Sequence, residues 1–176
     1  MALVTGANRG IGRTLVETLA SKGARKIYAS ARNVATLQDL TTSHPGVVES
    51  IELDITDHSA VARAATASQD VDLLINNAGF GFAGPLLRSS PEEIDRLTRT
   101  NYLGAVYSIF AFAPRMKRRR SGHIVNVASV AGLIPPPFLG AYAASKFALV
   151  AMSRVLRHEL APFWVGVSTI CPGTVK

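Results

Sequence analysis

Tyr142 and Lys146 stand in the order Tyr-Ala-Ala-Ser-Lys, a spacing that puts a phenol and an ammonium one turn apart on one face of a helix. Such a pair can move a proton. An unperturbed phenol ionises near pH 10, so acid/base work at neutral pH asks for a shift of about 3 units, or about 4 kcal/mol. One cation about 4 Å away supplies on the order of 4 kcal/mol at an effective dielectric near 20, so an ammonium alone accounts for most of that shift. Ser129 follows the run Ile124-Val125-Asn126-Val127-Ala128, at the carboxyl end of an expected buried strand, where open α/β sheets hold their ligands. Its hydroxyl is either a group that steadies a substrate oxygen or an ordinary turn and N-cap residue.

A second constellation lies at the start of the chain. Gly6, Gly10 and Gly12 follow a short apolar run and precede a helical pattern, the context in which backbone N–H groups and a helix N-terminus approach a diphosphate. The spacing Gly-x-x-x-Gly-x-Gly differs from the commoner Gly-x-Gly-x-x-Gly, and taken alone it also fits a tight strand-to-helix connection. After the second expected strand, where a carboxylate would hold the ribose hydroxyls of NAD, the chain has Ser30-Ala31-Arg32. With no acid there, and with Arg9 and Arg32 able to bond a 2′-phosphate, NADP(H) is favoured over NAD(H). The other reading is two surface arginines. Asp54, in Leu53-Asp54-Ile55, is either an adenine contact or the cap of the next turn.

These residues need a scaffold, and 176 residues with 48% apolar content can supply one buried core. The net charge is +7, and part of it is the run Lys117-Arg118-Arg119-Arg120. The run reads as the solvated C-terminal end of a helix, where cations oppose the dipole, in preference to a nucleic-acid or membrane patch. The lone Cys171 cannot form an intramolecular disulfide and sits at the end of an expected buried strand, which suggests a reducing, cytoplasmic setting. Met1-Ala2-Leu3-Val4 is too short for a signal peptide, and the apolar stretch 102–114 is too short to cross a membrane, so no membrane span is expected. No metal ligand set is assigned.

Apolar, β-rich runs recur at 3–5, 26–30, 50–53, 71–75, 123–127 and 165–170. Helical periodicity fills the intervals 11–21, 36–42, 59–68, 91–119 and 141–160. Strands alternating with helices imply right-handed βαβ units, hence a doubly wound, mostly parallel α/β sheet in a single Rossmann-like domain over residues 1–176. Ser90-Pro91-Glu92-Glu93 supplies an N-cap, a first-turn proline and acids at the favourable dipole end, so a helix is expected to start near Pro91. Pro135-Pro136-Pro137 forces a loop over 132–140, between the fifth strand and the helix that carries Tyr142.

Thr5-Gly6-Ala7-Asn8-Arg9-Gly10-Ile11-Gly12, Asn76-Asn77-Ala78-Gly79, Asn101, Ser129, Tyr142, Lys146 and Pro172-Gly173, in that order, strongly resemble the compact, single-domain branch of the short-chain dehydrogenase/reductase family. The likeness runs along the whole chain. It implies that Tyr142 is the general acid/base, that Lys146 favours the ionised phenol and holds the nicotinamide ribose, and that Ser129 orients the substrate oxygen. Asn101 would anchor a proton-relaying water through its main-chain carbonyl at a local helix distortion; its other reading is a polar residue bonded to neighbours inside a helix. The cofactor would lie along Gly6, Asn8, Arg9, Gly10, Ile11 and Gly12, then Arg32, Asp54 and Ile55, then Asn76, Ala78 and Gly79. Pro172 and Gly173 would turn the chain past the nicotinamide, and Val175 would bond its carboxamide. The Asn76 to Gly79 segment would also lock the fourth strand to its neighbours.

One departure matters. The family continues past the Pro-Gly turn through a mobile substrate lid and a last strand, and a diphosphate-binding threonine expected two positions after Val175 falls beyond Lys176. The expectation is therefore a piece of a longer enzyme, the other possibility being a minimal unit. The activity implied is interconversion of a secondary alcohol and a ketone or aldehyde, on a small, apolar substrate flanked by Phe80, Phe82, Leu133, Ile134 and Phe138, which also fit plain loop packing. The alternative is a cofactor-binding module or inactive fragment without turnover. Family analogy adds a homodimer or homotetramer built on helices 91–119 and 141–160, and nothing points to a nucleic-acid partner.

Overall fold

Six parallel strands carry the architecture in the computed structural model, which describes residues 1–174. They are β1 (Ala2–Thr5), β2 (Ile27–Ala31), β3 (Val48–Glu52), β4 (Leu73–Asn76), β5 (Gly122–Val127) and β6 (Val165–Ile170). The spatial order is β3-β2-β1-β4-β5-β6, so the winding reverses between β1 and β4. In an open parallel sheet that reversal leaves a crevice outside the carboxyl ends of the two strands. This is the doubly wound sheet expected from the alternation of runs.

Burial on both faces explains the continuous apolar strands. Leu3, Leu74 and Ile124 point to one face and pack with Ile109, Phe112 and Met116 of α5 (Gly104–Arg119) and Ala65 of α3 (His58–Ala67). Val4, Ile75 and Val127 point to the other face, against Val16 of α1 (Gly10–Ser21) and Leu40 of α2 (Gln38–Ser43). β6 pairs with β5 alone among the described residues, and so forms one edge of the sheet.

Local signals set the helix ends. Ser90 and Glu93 form a reciprocal capping box, with bonds of 3.1 and 2.9 Å, at the start of α4 (Pro91–Thr98). The helix expected over 91–119 forms without a break in the helical path, as α4 and α5 joined by a π turn over Arg99–Leu103. The pattern expected over 36–42 opens as a 3-10 turn, Val34–Leu37, before α2, and α6 spans Gly140–Leu160.

The basic run closes α5. Arg115 and Arg119 donate to the carbonyls of Ala65 and Val71, Arg120 donates to Pro162 O at 3.1 Å, and the Lys117 ammonium lies 4.1 Å from the Phe163 ring centre. Those cations satisfy carbonyls and an aromatic face of the chain itself. No described helix is long and apolar enough to cross a membrane.

Candidate active site at the β1–β4 crevice

The glycine turn leaves β1 with Gly6 at φ +64°, where a Cβ would stand 2.9 Å from the Cα of Ala78. A Cβ on Gly12 would lie 2.2 Å from the Gly6 carbonyl oxygen and 2.4 Å from Asn77 Nδ2. No larger residue fits either position. Thr5 Oγ1 accepts from the backbone N–H of Asn77 at 2.9 Å and of Ala78 at 3.0 Å, while Asn77 Nδ2 donates to the carbonyls of Thr5 and Gly6 at 2.9 and 3.1 Å. The end of β4 is thereby pinned to the turn. α1 starts at Arg9 with no side-chain cap and no acid in its first turn, so its first amides and the positive end of its dipole are left for an anion.

A cleft of about 1000 Å³ follows the carboxyl edge of the sheet. It brings together Gly6, Asn8, Arg9, Gly10, Ile11 and Gly12 with Arg32 after β2, and with Asp54 and Ile55 after β3. Ala78 and Gly79 after β4, and Tyr142 and Lys146 from α6, complete the set. Asp54 also accepts from the backbone N–H and the hydroxyl of Thr56 at 2.9 and 2.7 Å, so its capping role coexists with its place in the cleft.

Lys146 is 4% exposed and donates to the Val127 carbonyl at 2.9 Å. Its ammonium is 5.8 Å from the Tyr142 ring centre. Burial lowers its pKa to about 8, against a smaller opposing effect of Cys171. At pH 7 it remains a cation beside the phenol. The half-buried Tyr142 packs on the backbone of Gly81, where a Cβ would meet the ring Cδ2 at 2.9 Å.

Among the described residues, five of the expected site residues lie outside the cleft lining. Asn101 is 1% exposed within the π turn; its Oδ1 accepts from Phe80 N at 3.0 Å, and its Nδ2 donates to Phe80 O at 2.8 Å and to Ser145 Oγ at 3.1 Å. A distortion does occur at Asn101, as the resemblance implies, and its side chain has a separate task in holding the Phe80 loop. Ser129 Oγ accepts from Ala131 N at 3.1 Å as the N-cap of a short 3-10 turn. Asn76 is buried in the sheet, where its amide donates to Asn126 Oδ1 at 2.8 Å; Asn126 in turn donates to Ser153 Oγ at 2.8 Å. Pro172 accepts from Val130 N at 2.9 Å, which sets the segment carrying Gly173 beside the Ser129 turn. Val175 lies outside the described residues.

Sequence reasoning missed Asp95, Arg96, Arg99 and Thr100, which line the cleft from α4 and the π turn. The Arg96 guanidinium stands 5.2 Å from the Phe80 ring centre, and Arg99 pairs with Asp95 at 2.7 Å. The only available signal was helical periodicity over 91–119, which does not say which face of the helix meets the cleft.

The family model described as short chain dehydrogenase matches residues 1–176. The chain is 37% identical to 17-beta-hydroxysteroid dehydrogenase type 1 of Homo sapiens, over 99% of this chain and 56% of that protein. It superposes with a TM-score of 0.92 on a short chain dehydrogenase from Burkholderia cenocepacia J2315 in complex with NADP, at 40% identity over 99% of this chain and 72% of that one. A Burkholderia phymatum short chain dehydrogenase/reductase in complex with NAD gives 0.93 at 35% identity, over 99% of this chain and 65% of that one. The chain spans little more than half the length of the curated relatives it matches, 58% and 56% for two of them. With its glycine turn, its Tyr142 and Lys146 on one helix face, and the match along all of its length, the chain belongs to the short-chain dehydrogenase/reductase family.

Proposed function

We propose that this chain serves an NADP(H)-dependent oxidoreductase that interconverts a secondary alcohol and a ketone or aldehyde. The observation that carries the reading is one cleft holding both the glycine turn and the Tyr142–Lys146 pair. The residues fit a dinucleotide: Gly6 and Gly12 leave backbone-lined space that a Cβ would fill, and the uncapped start of α1 suits a diphosphate. The cofactor supplies a hydride donor or acceptor.

The chain supplies the rest. Tyr142 gives its phenolic proton to the substrate oxygen during carbonyl reduction and accepts it during alcohol oxidation. Lys146, a buried cation held at the Val127 carbonyl, favours the ionised phenol. Ser129 orients the substrate oxygen from the end of β5. Arg9 and Arg32 read the 2′-phosphate, and the absence of an acid at position 32 supports NADP(H). Related structures hold either NADP or NAD, so the preference rests on these two arginines. An apolar substrate fits the exposed Leu133, Ile134 and Phe138. Pairing of two copies through α5 and α6 is supported by the exposed Phe110, Phe147 and Val155.

Titration of the purified chain with NADPH and NADH, followed by a panel of apolar ketones, tests the reading. Saturable binding with NADPH preferred, and NADPH consumption that Tyr142→Phe abolishes, is the expected result. Preference for NADH overturns the cofactor assignment. Binding without consumption across the panel turns the chain into a cofactor-binding module.

A further inference from the structure

The proton-donating ring needs a fixed orientation, and the elements bearing it are not rigid by themselves. Tyr142 lies in the first turn of α6, after a proline-rich loop, and the Phe80–Gly81 segment against which its ring packs belongs to no helix or strand. Two buried polar side chains join these parts. Asn101 holds both backbone groups of Phe80, at 3.0 and 2.8 Å, and its amide reaches on to Ser145 Oγ at 3.1 Å. Ser145, 3% exposed, passes the contact to the carbonyl of Tyr142 at 2.7 Å. The circuit closes where Gly81, the next residue after Phe80, meets the Tyr142 ring.

We propose that Ser145 is a positioning residue that, by joining the Tyr142 carbonyl to the Asn101 side chain, fixes the Tyr142 ring against the Gly81 backbone. The inference rests on the reading of Tyr142 as the proton donor. A hydroxyl inside a helix that bonds the carbonyl three residues back gains little for the helix itself. Here its oxygen also accepts from the amide of Asn101, so one hydroxyl couples the backbone of Tyr142 to the loop that its ring touches. Loss of that hydroxyl frees the Asn101 amide from α6 and lets the first turn of α6 move relative to residues 80–81. Misplacement of a reacting group by a fraction of an ångström lowers rate more than affinity.

The test is fluorine NMR of the chain carrying 3-fluorotyrosine, with the Tyr142 signal assigned by Tyr142→Phe, alongside NADPH binding and steady-state kinetics. Ser145→Ala and Ser145→Cys, which keeps the volume, are expected to shift and broaden that signal, and Ser145→Thr to restore it. Both altered variants should lose about tenfold or more in kcat while KM and the NADPH Kd stay within about twofold. An unchanged Tyr142 signal in both overturns the proposal, as does a change that Ser145→Thr does not restore, because packing would then be its cause. If the chain binds no NADPH, the functional reading fails separately, and the fluorine signal still decides whether the clamp exists.

Discussion

The Lys146 ammonium is buried 2.9 Å from the Val127 carbonyl, so the end of β5 holds the cation that stands beside the phenol of α6. Burial there opposes the charge. Burial lowers this pKa from 10.5 to about 8, a difference worth on the order of 3 kcal/mol. Below pH 8 both folded and unfolded chains carry the proton and the folded state bears the whole cost. Between pH 8 and 10.5 the folded state releases it first, so stability from this group rises with pH. Lys146→Met is therefore expected to stabilise the chain by about 1–3 kcal/mol at pH 7, with the gain shrinking towards pH 10.5. Urea unfolding at both pH values measures it, and a pH-independent gain would contradict a buried ammonium.

Tyr142→Phe keeps the ring that packs on Gly81 and removes only the hydroxyl. Turnover is expected to fall by about a hundredfold or more, with NADPH affinity within about twofold. Stopped-flow hydride transfer beside a binding titration separates the two effects.

Arg9 and Arg32 both face the cleft and are exposed. Replacing either by alanine should weaken NADPH binding by about tenfold, or about 1.4 kcal/mol, and leave NADH binding nearly unchanged. Calorimetric titration with both nucleotides checks this, and equal losses for the two would show that neither arginine reads the 2′-phosphate.

Gly12→Ala places a methyl carbon 2.2 Å from a backbone oxygen that Asn77 also holds. A destabilisation of about 2–4 kcal/mol and loss of NADPH binding are expected. Gly84 has open space at its Cβ position, so Gly84→Ala should stay within about 0.5 kcal/mol of the parent. Thermal denaturation of the two variants side by side provides the comparison.

Arg120 ends α5 in the left-handed region, φ +53°, a conformation that glycine adopts without strain. Its own bond to Pro162 is exposed. Arg120→Gly is expected to raise stability by about 0.5–1 kcal/mol, read as an increase in the urea midpoint at constant slope.

The inner strands and the glycine turn were legible because their causes are local. Strands buried on both faces read as apolar runs, and a turn that places one residue against another's backbone admits only glycine. The tyrosine and lysine were legible for the same reason, since four residues along a helix is a distance that a sequence states directly. The π turn was not. Residues 91–119 carry one helical pattern, and the π turn within it comes from packing: Asn101 is drawn into the fold by Phe80 and Ser145, which lie far from it along the chain.

The same division holds across the molecule. Sequence alone determined which residue types could bind a dinucleotide and move a proton, because backbone freedom at glycine and helical spacing are short-range properties. Tertiary structure decided their tasks. It sent the Asn76 amide into the sheet toward Asn126 while Asn77, one residue on, took the glycine turn, and it brought Arg96 and Arg99 to the cleft. Hydrogen-bond partners and the face a side chain presents depend on groups distant in the chain, and only the folded geometry sets them.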